Sequence, residues 1–423
     1  MEWVLSSLDN NILPETNFSG RLEDGHNSVE VDITAWAGND GRLCLRINNI
    51  NRDVYLFCAQ RTGRIGEECT EFTLSAASDS GKNLVSNEVS VTRHLHSSDG
   101  FDVGIEARHI SLVETLDELV AKPYHRFWFR GFKSFRGHEA NTPLGRIVIR
   151  GDAQDVSSDD MSGFAALQHE HNDIPENWII ESERLLQHMQ MGFEFAHGGR
   201  LQIPLRELRV EDSFRLDFYN GGGAASELAV IHHLNQSAFF DALVNRFLTK
   251  GPLSEPFWSA VGWLRTETTY DELRFLTAMT SLETIVALAL PEVATTVIEK
   301  AKFTLIKNDL KIVIDGADSL DNEIKDTLKR NVSGANRSSL AKKIESLFDH
   351  YEISRKNFEG TVLRDMINCR NDLVHRGEVK DNIQLWTFII LARELVSRVV
   401  LSEIGFRGRY QCYINGREWR EFP

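Results

Sequence analysis

The spacing of the apolar residues changes once along the chain, and this change restricts the folds that it can adopt. From about residue 28 to 152, apolar and polar residues alternate in short runs, the pattern of half-buried β-strands. After the triplet Gly221, Gly222 and Gly223, apolar residues recur at helical spacing instead. The sequence therefore predicts an α+β multidomain protein, in which an antiparallel β-rich part (a sandwich or barrel) precedes an all-α bundle.

The runs of each kind give a provisional division of the chain. We expect a β-rich domain at 1–220, a helical linker region at 221–269, a helical bundle at 270–408 and a hairpin or tail at 409–423. The predicted strands include SVEVDITAW, RLCLRINNI, VYLFCA, EVSVTRHL, FDVGIEARHISLV, HRFWFRGF, GRIVIRGDA, RLQIPL and SFRLDFYN. The predicted helices lie at about 178–189, 227–248, 271–290, 339–351, 356–376 and 382–404. Asn415-Gly416 between alternating residues predicts the hairpin.

The net charge of −15 excludes a protein coated with basic residues for binding nucleic acid. The Lys, Arg, Asp and Glu residues from 271 to 423 sum to about zero, so residues 1–270 carry the acidic excess. Any contact with RNA or DNA must therefore be local.

The sequence also indicates a cytoplasmic protein with no membrane segment. The first ten residues lack the basic and apolar regions of a secretory signal, and the longest apolar run, 282–290, is interrupted by Glu283 and Thr284. The five cysteines are an odd number, and their spacing gives no CxxC pair. We expect neither a disulfide framework nor a cysteine zinc site.

The segment CRNDLVHRG, residues 369–377, carries the most informative side chains. On a helical wheel, Leu363, Ile367 and Val374 form an apolar stripe, and Arg370 falls inside it. A guanidinium in such a place needs a partner, because burying an unpaired charge is costly. The spacing thus predicts an acidic or polar group against Arg370.

The other polar residues of this segment stand near the predicted end of the helix. Asn371 and His375 are four residues apart, so their side chains can meet, and Gly377 is a typical helix stop. The helix dipole tends to raise the pKa of a histidine in the last turn, which suits acid–base chemistry near neutral pH. The alternative is that Arg370, His375 and Arg376 are ordinary helix-terminal residues.

On these residues, the C-terminal part resembles the Apea-like HEPN group. RNDLVH matches the R-polar-x3-H form of the R-x4–6-H motif found in HEPN ribonucleases. The segment LRFLTAMTSLETIVAL, which contains Glu283, and the segment LWTFIILARELVSRVVL are similar to the first and last helices of that group. The resemblance covers about residues 270–405. Over residues 1–220 it rests on architecture alone, a β-rich domain such as precedes HEPN in anti-phage proteins of the Apea type.

The resemblance implies a metal-independent endoribonuclease that needs no cofactor. In this family the RNA 2′-hydroxyl attacks the adjacent phosphate and gives a 2′,3′-cyclic phosphate. His375 would then transfer the proton, Arg370 would stabilise the phosphorane charge, and Asn371 would orient either of them. The resemblance further implies an abortive-infection, toxin-like effector against phage. Its RNA substrate could be tRNA, and its N-terminal domain would sense a phage-derived trigger.

Helix geometry adds a prediction about assembly. In an unbroken helix, Arg370 and His375 point about 140° apart and lie about 7.5 Å apart along the axis. Either the helix ends early, or two motifs face each other across a homodimer, the solution typical of HEPN ribonucleases. We expect the homodimer. Glu283 is the expected partner of Arg370 or Arg364, and Arg364 and Arg376 would add positive potential for the RNA.

Other motifs have structural explanations as well as functional ones. His169-Glu170-His171 offers two metal-type ligands without a third, and the aromatic run Phe127 to Phe129 among basic residues suits either base stacking or a packed strand. His232 and His233 adjoin on a predicted helix, so one of them is expected to face the core. The glycine triplet lacks the Lys and Ser/Thr of a P-loop, which favours a hinge.

Two further functions remain open from the sequence. The chain could be a non-catalytic dimeric protein whose β-rich domain binds a protein or carbohydrate. A sugar-active enzyme in that domain would need two carboxylates at a suitable separation.

Overall fold

The computed structural model describes residues 12–60, 70–98, 100–116, 122–152, 159–221, 228–265, 268–379 and 384–423. The chain divides into two compact units, Met1–Pro252 and Leu253–Pro423. The first eleven residues, one of the five cysteines (Cys69), and Gly222 with Gly223 of the glycine triplet lie outside the described residues.

The N-terminal unit contains thirteen strands and three α-helices among its described residues. The strands are β1 (Leu13–Glu23), β2 (Ser28–Ala37), β3 (Leu43–Asn48), β4 (Phe72–Ala77), β5 (Asn83–Ser97), β6 (Gly100–Ala107), β7 (His109–Thr115), β8 (Tyr124–Arg130), β9 (His138–Thr142), β10 (Gly145–Gly151), β11 (Met161–Gln168), β12 (Leu205–Val210) and β13 (Ser213–Tyr219). The helices are α1 (Arg52–Ala59), α2 (Trp178–His197) and α3 (Gln236–Lys250).

These strands join one antiparallel sheet in the order β3-β2-β1-β4-β5-β7-β13-β12-β8-β11-β10-β9. The long strand β5 pairs with three strands, because Asn83–Val89 pairs with β4, Asn83–Val85 pairs with β7 and the segment from Val89 to Ser97 pairs with β6. The antiparallel β-rich prediction is confirmed. The described strands form a single sheet rather than the two packed sheets of a sandwich.

Both faces of the strands near β8 are covered. Trp128 and Phe164 belong to the main apolar core of the sheet. Phe129 points to the opposite face, where its ring packs edge-on against Phe132, and Phe132 in turn packs against Phe193 of α2. Strands buried on both faces read as continuous apolar runs, which explains the sequence HRFWFRGF.

Three sequence predictions in this unit are wrong in type or extent. VYLFCA is helix α1 rather than a strand, because the Asn51 side chain accepts hydrogen bonds from the backbone N–H groups of Asp53 and Val54 and so caps a helix. The strand expected at RLQIPL begins only at Leu205. The helix expected from residue 227 begins at Gln236, after a 3-10 turn at His233–Asn235.

The C-terminal unit is helical and ends in a hairpin. Its elements are α4 (Glu255–Trp263), α5 (Asp271–Ala289), α6 (Glu292–Thr295), α7 (Lys300–Asp315), α8 (Asn322–Gly334), α9 (Leu340–His350), α10 (Val362–Arg376), α11 (Leu385–Glu403), β14 (Gly408–Cys412) and β15 (Glu418–Phe422). Helix α11 is the centre of this unit, since Leu395, Val396, Val399 and Val400 are fully buried. The predicted helical bundle and terminal hairpin are confirmed.

Two features of this unit differ from the sequence prediction. The helix expected at 356–376 begins only at Val362, because Asn357 and Gly360 have positive φ angles of 75° and 66°, which a helix does not contain. Helices α7 and α8, which the sequence reading did not identify, pack on each other and bury no residue fully.

Among the described residues, no helix combines the length and apolar character needed to cross a bilayer.

Candidate active site

Helix α10 carries the motif, and its buried ridge differs from the predicted stripe. Leu363, Met366 and Cys369, spaced three residues apart, are the buried residues of this helix. Val374, which the stripe placed in the interior, is 50% exposed. The helix therefore turns one edge of the expected stripe toward solvent, and Arg370 lies beside the buried ridge rather than within it.

Arg370 is half-buried and ion-paired with Glu283 of α5. Nε of Arg370 lies 2.9 Å from Oε1 of Glu283, and Nη2 donates a hydrogen bond to Oε2 at 3.1 Å. The two side chains are 29% and 33% exposed. The partner expected for the guanidinium is thus present, held by one hydrogen bond and one ion contact.

Asn371 adds a third contact to the same guanidinium. Nη1 of Arg370 donates to Oδ1 of Asn371 at 3.1 Å. In the described part of the chain, no hydrogen bond joins Asn371 to His375, although their spacing permits one. Asn371 therefore orients the arginine and not the histidine in this structure.

His375 lies in the last turn of α10, where its side chain is exposed. Gly377 ends the helix in the left-handed conformation, with φ 69° and ψ 17°, and its N–H donates to the carbonyl of Leu373. Such a φ is costly for residues with a Cβ, which explains a glycine at this position.

The helix is continuous from Val362 to Arg376. An early end of the helix therefore does not bring Arg370 and His375 together. At five residues of separation, the two side chains leave the helix about 140° apart and about 7.5 Å apart along its axis. Within one chain they project in different directions.

The two supporting arginines are at the surface. Arg364 is exposed and forms no ion pair with a described residue. Nη1 of Arg376 lies 3.4 Å from Oδ1 of Asp372, one turn back, and the Arg376 side chain is 70% exposed. Exposed cations of this kind contribute little to stability, but they raise the local positive potential.

A second ion pair in this unit was not identified from the sequence. Glu394 and Arg398 of α11 are each 4% exposed, and Nε of Arg398 donates to Oε1 of Glu394 at 2.8 Å. The Tyr410 hydroxyl donates to the same oxygen at 2.7 Å, and burial raises the pKa of Tyr410. This network fixes the terminal hairpin to α11. The sequence pattern that could have identified this pair is two opposite charges at i,i+4 spacing in an otherwise apolar helix.

The aromatic run of the N-terminal unit is not available for base stacking. Phe127, Trp128 and Phe129 are at most 2% exposed, and Arg126 forms an ion pair with Glu207. The packed-strand interpretation is therefore correct, although all three rings are buried rather than every second one.

The remaining histidine candidates also have local explanations. Nδ1 of His169 lies 2.9 Å from the carbonyl oxygen of His171, and the described residues offer no third ligand to this pair. His232 and His233 flank the start of a 3-10 turn with their ring centroids 4.0 Å apart. Both are half-buried and lie outside an α-helix, so the expectation that one of them faces the core from a helix is wrong.

Comparison with known proteins agrees with the motif. Residues 276–409 match the family model of Apea-like HEPN. The chain contains an Apea-like HEPN domain. The matched segment includes Glu283, Arg370, Asn371 and His375. No curated protein and no solved structure matches the chain.

The family match gives the coarse function of the C-terminal unit. HEPN domains are generally ribonucleases, so the match indicates a nuclease-type function for residues 276–409 at the coarse level. The match does not extend to the thirteen-stranded sheet of the N-terminal unit.

Proposed function

We propose that this protein is a metal-independent endoribonuclease that acts as an abortive-infection effector against phage, with an N-terminal unit that responds to a trigger. The HEPN domain and the arrangement of its motif support the proposal. The observation that carries it is the half-buried Arg370, oriented by Glu283 and Asn371, on the helix that ends with the exposed His375.

The chemistry requires a cation for the phosphate and a group that moves protons. A guanidinium has five N–H groups, and Glu283 and Asn371 contact Nε, Nη1 and Nη2 once each, so N–H groups remain for a phosphate oxygen. Glu283 offsets the cost of holding the charge in a half-buried position.

In the proposed reaction, the 2′-hydroxyl oxygen attacks phosphorus as an imidazole nitrogen of His375 accepts its proton. The bond from phosphorus to the 5′-oxygen breaks, and that oxygen receives a proton to leave as a hydroxyl. The products are a 2′,3′-cyclic phosphate and a 5′-hydroxyl end. Arg370 stabilises the negative charge that develops on the phosphorane oxygens.

We further propose that the active groove belongs to a homodimer. Because α10 is continuous, Arg370 and His375 of one chain diverge. A two-fold axis beside this helix would bring the arginine of one chain toward the histidine of its partner, and a symmetric pair of grooves would result.

The first experiment compares His375→Ala and Arg370→Ala with a matched control. His350 also lies exposed in the last turn of a helix, so His350→Ala removes a similar side chain outside the motif. We expect both motif variants to lose RNA cleavage and cellular toxicity, whereas the control keeps them. Retained cleavage in either variant would contradict the assignment of that residue, whereas an absence of RNA cleavage by the wild type itself would favour a non-catalytic binding protein. Analysis of the RNA ends after cleavage in EDTA tests the metal-independent mechanism.

A second experiment tests the shared groove. Arg370→Ala and His375→Ala chains are co-expressed with different tags, and the mixed dimer is purified. If Arg370 and His375 act across the interface, one groove of this dimer is intact, and about half of the wild-type activity returns. A mixed dimer as inactive as its parents would exclude a groove built in this way.

A further inference from the structure

A pocket of about 560 Å³ opens in the N-terminal unit, at one end of the central strands. It lies where β13 ends beside the start of β7, because Tyr219 pairs with His109 in the sheet register. Helix α2 and the segment between α2 and β12 complete the wall, through Gln190 and Gln202 among others. The volume is within the range of small-molecule sites, about 300–1,000 Å³.

Arginines dominate the charge of this pocket. Arg108, Arg200 and Arg206 line it together with one carboxylate, that of Glu88. Arg200 is exposed and forms no ion pair with any residue that the structure describes. Three guanidiniums around one cavity are unexpected in the half of the chain that carries the whole negative charge.

Arg206 and Arg108 each have an acidic partner, but the two pairs differ in distance. Nη1 of Arg206 lies 2.7 Å from Oε1 of Glu183. Nη1 of Arg108 lies 3.7 Å from Oε1 of Glu71, and both of these side chains are exposed. Exposed pairs of this kind are weak, so Arg108 can exchange Glu71 for an anionic ligand at little cost.

A fourth guanidinium lies directly behind the lining. Arg130 is 1% exposed, and its Nη1 donates to Oε1 of Gln202 at 3.3 Å and to the carbonyl of Gly221 at 2.9 Å. Its Nε donates to the carbonyl of Asp40. These partners are neutral, and no described carboxylate forms an ion pair with Arg130, so its charge adds to the potential of the pocket.

The lining also offers a fixed apolar and amide surface. The ring of Tyr219 stacks on His109 at 4.8 Å and 23°, and the Arg206 guanidinium lies 4.9 Å from its centroid. Gln190 donates to Glu194 and to the carbonyl of Leu201, which leaves its own carbonyl oxygen as an acceptor. Guanidinium groups bind phosphate in a planar, two-point fashion, and amides recognise the edges of polar rings.

We infer that this pocket binds a nucleoside phosphate, with its phosphate against Arg200 and Arg108 and its base or sugar against the amides. This ligand would be the trigger to which the N-terminal unit responds, a role that rests on the proposed function. The binding of the ligand does not depend on that function.

Isothermal titration of the full-length protein with ATP and with GTP tests the inference. Unphosphorylated adenosine, inorganic phosphate and an RNA oligonucleotide with a 3′-phosphate are titrated in parallel. We expect at least one free nucleotide to bind more tightly than adenosine, phosphate and the oligonucleotide. Equal binding of inorganic phosphate would overturn the nucleoside part of the inference, and tighter binding of the oligonucleotide would assign the site to RNA ends.

Arg200→Glu supplies the residue-specific test, because its exposed side chain is replaced without disturbing the core. The matched control is Arg93→Glu, which changes an exposed arginine of β5 outside the pocket. We expect Arg200→Glu to weaken nucleotide binding at least tenfold and Arg93→Glu to leave it within about twofold. No detectable binding at about 1 mM nucleotide, or equal effects of the two variants, would overturn the inference. Neither of these results would affect the proposed ribonuclease activity, because that activity is tested separately, by RNA cleavage with the wild type and the alanine variants.

Discussion

The ion pair between Glu283 and Arg370 should be worth measurably more than a surface pair on the same helix. Replacing Glu283 with Gln keeps the size of the side chain and removes its charge, which leaves the half-buried guanidinium with a neutral partner. Replacing Arg370 with Met keeps an unbranched side chain and leaves the carboxylate unpaired. The double variant removes both charges, so the cycle isolates their interaction.

The expected magnitude follows from the exposure of the pair. Fully buried pairs cost about 3–5 kcal/mol when one partner is removed, and exposed pairs cost about 0–1 kcal/mol. The side chains here are 29% and 33% exposed, so solvent screens part of the interaction. We expect each single variant to lose about 1–2 kcal/mol and the coupling energy to be about 1 kcal/mol. For a unit of this size, a loss of 1–2 kcal/mol lowers the melting temperature by about 2–8 °C.

Calorimetry of the full-length protein measures these shifts. The control cycle uses Asp372→Asn and Arg376→Met, a pair on the same helix whose arginine is 70% exposed and whose closest atoms are 3.4 Å apart. Its coupling should not exceed about 0.5 kcal/mol. The reasoning is refuted if the coupling of Glu283 with Arg370 is no larger than that of the control pair.

Three further predictions concern local structure and pH. Gly377→Ala should destabilise the C-terminal unit by about 1 kcal/mol, because its φ of 69° disfavours a Cβ; calorimetry that shows no loss would contradict this. Asn51→Ala should lower the stability of α1 by about 1 kcal/mol, because it removes the cap of this helix. Hydrogen exchange of α1 should speed up in this variant and stay unchanged in the control Asn415→Ala, at the hairpin turn. Burial lowers the pKa of His125 and of His188 to about 4, below the unfolded value of about 6.5. The stability that these neutral histidines permit is fully present above pH 6.5 and is lost as the pH falls toward 4, so His188→Phe should make acid unfolding less steep.

The sequence predicted the contacts of Arg370 better than it predicted the fold around them. An arginine beside an apolar ridge requires a partner. Glu283, an acidic residue within an apolar helix, was the expected partner of Arg370 or Arg364, and the structure pairs it with Arg370. The location of the ridge was less accurate, because a helical wheel does not reveal which side meets its neighbours, and Val374 proved exposed.

The errors in the fold have local causes. VYLFCA is short and apolar, so its pattern suits a strand or a helix, and the cap at Asn51 decides for the helix. The order of the sheet depends on pairings between distant segments, such as Tyr219 with His109, which short-range patterns do not encode. Helices α7 and α8 were not identified, and they bury no residue fully, since apolar side chains such as Leu305, Ile312 and Val313 are exposed.

Because β13 precedes the motif helix along the chain, a ribosome completes the strands of the N-terminal sheet first. The sheet receives its last strand when Tyr219 has been added, and about 150 residues then separate this point from Arg370. At about 5–20 residues per second, translation of that interval takes about 8–30 s. The described strands of the N-terminal sheet are therefore synthesised many seconds before the motif of the HEPN domain. A nascent chain has time to fold the strands of its N-terminal unit before it contains the HEPN motif.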